Sequence, residues 1–96
     1  MNKKKSNRSS EEYDIPSDDP SLVYTTYDLG VSAALLCLGF KLQSLTRDDP
    51  RKALFVFKRE GAIETLANQY FTDQLEVKAR SFFDSIKALK NKLYSE

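Results

Sequence analysis

The chain has 96 residues, 41% hydrophobic and 30% charged, with a net charge of +1, no histidine and one cysteine. That length supports one core and no second domain, a lone cysteine excludes an internal disulfide, and the lack of histidine removes the usual zinc, copper and haem ligand sets. A net charge this small gives no overall attraction to nucleic acid or acidic lipid, so any basic surface must be local.

Residues 1–21 carry Lys3, Lys4, Lys5 and Arg8, then Glu11, Glu12, Asp14, Asp18 and Asp19, with Pro16, Pro20 and five serines among them. Only Tyr13 and Ile15 offer apolar surface to bury, too little to offset the entropy of ordering. The segment reads as a disordered, solubilising tail, and residues 22–96 as a single α+β domain. The basic start at Lys3 continues into residues 6–12 without an apolar run, which argues against a signal peptide.

Residues 22–27 are β-branched and aromatic and predict a strand ending at Asp28. Asp28 is an N-cap for a helix from Leu29, and Gly39 suits the left-handed position that closes it, with Phe40 folding back onto the last turn. Residues 29–40 carry no charge at all, so this helix is apolar around its whole circumference and must be covered on more than one side, by the sheet and the closing helix or by a second molecule. It is too short to span a membrane, which takes about 20 apolar residues. Cys37 lies among leucines and reads as a small hydrophobe, and the cytoplasm is the expected compartment.

Residues 41–47 predict a second strand, 48–52 a turn and 53–58 a third strand, together a hairpin. In the third strand Leu54 and Val56 face one way while Ala53, Phe55 and Phe57 face the other, so both faces are apolar. Helical spacing returns over 60–71 through Ile63, Leu66, Ala67 and Tyr70. After a break at 72–77, a last helix over 78–94 carries the core stripe Phe82, Ile86, Leu89 and Leu93. The predicted order is β-α-β-β-α-α, a compact domain with a small three-stranded sheet.

Residues 24–29 (Tyr-Thr-Thr-Tyr-Asp-Leu), the small and apolar run 33–40, the Phe55-Val-Phe57 strand, and Val77, Phe82 and Leu89-Lys90 together form a pattern. It resembles a small prokaryotic domain of unknown function, over about residues 24–94. The resemblance implies a compact α+β module of bacteria and mobile elements with an accessory binding role, and it brings no catalytic residues. Thr26 and Asp28 match the pattern, and capping accounts for both.

No catalytic site, cofactor or metal site is expected. A general base would have to be a carboxylate, and neither a serine nor Cys37 has a histidine beside it. Asp48 and Asp49 are the only paired acids of the body, and two adjacent carboxylates supply too few oxygens for Mg²⁺ or Ca²⁺. Gly30, Gly39 and Gly61 are too scattered for a phosphate loop. Residues 51–58 are similar to the octamer of the RNA-recognition motif only in their central aromatics. Ala53, Leu54 and Lys58 depart from it, and a core hairpin is the simpler reading.

Two binding surfaces remain. The surplus apolar face of the first helix, with Val31, Leu35 and Leu38, predicts self-association as a homodimer or docking on a protein partner. The alternative is single-stranded nucleic acid on the last helix, where Arg80, Phe83, Lys87, Lys90 and Tyr94 share one stripe, cations for phosphates and rings for bases. On a purely structural reading those rings widen the core and the lysines extend their stems over it.

Overall fold

The computed structural model describes residues 19–49 and 51–95. Most of the tail expected over residues 1–21 lies outside the described residues. Its last part is ordered: Pro20–Leu22 form a 3₁₀ turn. Asp19 caps it, accepting from the Ser21 hydroxyl at 2.7 Å and the Ser21 amide at 3.0 Å. These bonds, the hydroxyl first, hold the Asp19 carboxyl below its ordinary pKa. Leu22, expected to open the first strand, belongs to this turn.

The elements follow as β1 (Val23–Thr26), α1 (Leu29–Cys37), β2 (Leu42–Asp49), β3 (Lys52–Lys58), α2 (Ile63–Phe71) and α3 (Ala79–Tyr94). The fold is thus an α+β domain in the expected order, with a three-stranded antiparallel sheet in which β3 lies between β1 and β2. A central position suits β3, whose apolar residues on both faces make it the costliest strand to leave at an edge.

Register sets the faces. Tyr24 and Thr26 pair with Phe57 and Phe55, and on the other side Leu42 and Leu45 pair with the same two phenylalanines. Leu42 and Leu45 are three apart, a spacing that a regular strand would send to opposite faces. The register shift between Leu42 and Ser44 supplies the extra residue that brings both to the core side. Phe55 and Phe57 are buried there with Val31, Leu35, Ile63, Ala67 and Leu89, so the helices cover one face of the sheet. Full burial of each large apolar side chain is worth about 1.5–3 kcal/mol, and this cluster is the main source of stability.

The caps follow from the chain. Asp28 Oδ1 accepts from the Val31 amide at 2.8 Å, and the Ser32 hydroxyl donates to the Asp28 carbonyl at 2.8 Å, which lets the buried Ser32 sit in the core at little cost. At the other end Gly39 has φ +98°, with the Phe40 amide donating to the Leu35 carbonyl and Gly39 to Leu36. α2 ends the same way without a glycine: Asp73 adopts φ 61°, and the amides of Gln74 and Asp73 bond the carbonyls of Gln69 and Tyr70. Asp is one of the few side chains that tolerates this conformation.

α1 is covered from two sides, packing along α3 and against α2. Val31 and Leu35, expected at a self-association surface, have no exposed area, and of the three residues proposed for that surface only Leu38 reaches solvent, at 39%. The all-round apolar helix finds its cover inside its own fold.

Candidate nucleic-acid interface

α3 separates two stripes by the spacing of its sequence. Leu89 is buried, and Phe82, Ile86 and Leu93 pack against the core. Arg80, Phe83, Lys87, Lys90 and Tyr94, offset from them around the helix and spaced three, four, three and four, are all exposed. Phe83 is 58% and Tyr94 79% exposed, so neither ring widens the core. The Lys87 ammonium lies 5.2 Å from the centroid of the Phe83 ring, one turn away, a cation–π arrangement worth about 0.5–1 kcal/mol at an exposed site. Asp84 is the acid that adjoins this stripe on the same helix.

The hairpin brings further cations to the end of that stripe. Arg47, Arg51 and Lys52, with Ala53, border a cleft of about 400 Å³ that is closed from the other side by Leu93 and Tyr94. Arg47 lies in the second register shift of β2, between Thr46 and Asp49. The Lys52 ammonium stands 5.6 Å from the ring centroid of Tyr27, which is 60% exposed. Sequence reading missed these hairpin cations as part of a site. Their one local signal is a cationic cluster around a turn, and only the docking of α3 across the sheet adds Tyr94 to it.

Other concavities carry less chemistry. One of about 460 Å³ lies beside Cys37 and Leu38, against Val77 and Lys78. Another, of about 610 Å³, runs over the sheet face away from the helices, along Val23, Thr25, Leu54 and Val56. Arg59, at its end, is paired with Glu64, and its buried Nε has no hydrogen-bond partner. Nearby, Tyr24 has its phenol pKa raised, first by burial and then by the charges of Glu64 and Asp28. Among the described residues no group of three or more Cys, Asp or Glu is gathered to hold a metal ion, and no helix is long and apolar enough to cross a membrane.

A sheet of three antiparallel strands covered on one face by three helices, with a basic and aromatic outer stripe, defines a small α+β module. Residues 22–95 match the family described as Domain of unknown function (DUF5659), and the chain belongs to that family. No curated protein and no solved structure matches the chain.

Proposed function

We propose that this domain is a non-catalytic accessory protein that binds single-stranded nucleic acid along the outer stripe of α3. The observation that carries the reading is the exposure of two aromatic rings, Phe83 and Tyr94, among Arg80, Lys87 and Lys90 on one helix face. Exposed rings are expensive unless something covers them, and the faces of nucleobases do so whatever their sequence. The ends of the stripe are 14 residues apart, a rise of about 21 Å, enough for several nucleotides of an extended strand. Phosphates on Arg80, Lys87 and Lys90 supply the charge neutralisation and the rings supply stacking of about 1–3 kcal/mol per base.

The protein-docking reading has less support, because two of its three residues lie in the core. The partly buried free thiol of Cys37 suits a reducing cytoplasm, the compartment proposed here. Fluorescence anisotropy with a labelled ten-residue oligothymidylate tests the proposal. Three phosphate contacts to a single strand predict a log K against log salt slope of about −2, and Lys87→Glu with Lys90→Glu should abolish binding at low salt. Undiminished binding by that double variant would show that the stripe is not the site.

A further inference from the structure

Aromatic rings gather at the end of α2. Tyr70 and Phe71 close that helix with their ring centroids 5.4 Å apart and their planes at 82°, so that the two rings form a corner. Both border a cleft of about 350 Å³ together with Phe82 of α3, and Leu75 and Val77 complete its apolar wall. Phe71 is 57% exposed there, a large ring left to water. Asp73 also borders the cleft. It is exposed, and among the described residues no cation pairs with its carboxylate.

The charge at this place is negative. The Asp73 carboxylate supplies a full charge, and the carbonyl end of α2 adds about half of one. The amino end of α3, near Phe82, opposes with about half a positive charge, while Glu76 and Lys78 lie at the adjoining cleft and offset one another. A cation is therefore favoured, and the walls decide which kind. A primary ammonium has three N–H donors, and a single carboxylate among apolar side chains leaves some of them without an acceptor, which is costly. A quaternary ammonium has no donor to satisfy, covers its methyl groups with Leu75 and Val77, and is attracted to the faces of aromatic rings. We infer that this cleft binds a quaternary ammonium group, held in the corner of Tyr70 and Phe71 with Asp73 at the mouth. The site is independent of the α3 stripe, since Phe82 belongs to the inward row of that helix.

Amide NMR titration of the whole chain with choline tests the inference, beside the neutral carbon isostere of choline and its primary-amine counterpart, ethanolamine. Choline should shift the amides of residues 70–77 and of Phe82, and bind about tenfold more tightly than the neutral isostere, as a cation does over rings partly withdrawn from water. Phe71→Leu keeps an apolar side chain at an exposed position and should weaken choline about fivefold. Asp73→Asn retains a residue that tolerates the left-handed backbone at this position. It should also weaken choline about fivefold, through the lost charge, and leave the neutral isostere unaffected. A peptide with one trimethyllysine, run beside its unmethylated twin, separates the two sources of such a group. Binding tighter than that of choline assigns the ligand to a protein side chain, and weaker binding to a free small molecule. Equal affinity for choline and its neutral isostere overturns the inference, since the cleft is then only apolar, and so does tighter binding of ethanolamine than of choline. Spectra that choline leaves unmoved, or choline binding undiminished in either variant, overturn it as well.

Discussion

Gly30 sits in the first turn of α1, where an alanine would ordinarily be the better residue. Its helical conformation is ordinary, so the backbone offers no reason for glycine, and alanine alone should stabilise by about 0.5–1 kcal/mol. The reason lies in α2. A Cβ built on Gly30 meets the phenol of Tyr70, with Cζ at 2.8 Å and Oη closer still, so Tyr70 must swing away. It packs against the core, and overpacking of this kind costs about 1–3 kcal/mol. The steric term exceeds the propensity term, and Gly30→Ala should lose about 1–2 kcal/mol net, a fall in Tm of roughly 4–16 °C for a domain of this size. Tyr70→Leu removes the clashing end of the ring. In that background Gly30→Ala should change sign and stabilise by about 0.5–1 kcal/mol. Urea unfolding of the four proteins measures the cycle. If Gly30→Ala stabilises equally with and without the Tyr70 ring, the packing of α2 onto the start of α1 is wrong.

Leu35→Ala should cost about 2–5 kcal/mol by emptying part of the core, whereas Leu38→Glu should stay within about 0.5 kcal/mol and leave the sedimentation coefficient unchanged. A dimer that Leu38→Glu dissociates would restore the self-association reading. Tyr24 gives a pH dependence whose sign follows from its raised pKa. The folded state holds the phenol proton more tightly than the unfolded chain does, so this contribution is complete below the ordinary value of 10.0 and is lost as pH rises through the folded pKa. Denaturation at stepped alkaline pH should therefore show Tyr24→Phe losing less stability above pH 10 than the wild type, and parallel curves would contradict the burial of that phenol.

The parts of this fold legible in the chain are those fixed by local chemistry. Asp28 and Gly39 bracket α1 because a carboxylate and a glycine solve the two ends of a helix by themselves, and the four-three-four spacing of Phe82, Ile86, Leu89 and Leu93 defines the buried side of α3. What escaped depended on pairing. The register shift that turns both Leu42 and Leu45 inward leaves no mark at Gln43, and Asp73 closes α2 in a role that glycine usually signals. The all-round apolarity of α1 and the apolar stripe of α3 that covers it were legible, but the packing of α2 on the same helix was not, since α2 reaches α1 only after the chain has folded. The same holds at the surface: the α3 stripe could be read from its spacing, while the cleft formed with Arg47, Arg51 and Lys52 required the tertiary arrangement.

An amide NMR titration with a short single-stranded oligonucleotide at low salt tests nucleic-acid binding on the outer face of α3. The expected shifts are concentrated on Arg80, Phe83, Lys87, Lys90 and Tyr94 and are reversed by added salt, while the amides of the buried α1 stay in place. Spectra unmoved by the oligonucleotide, or shifts centred on Leu38 that grow with protein concentration alone, would contradict it.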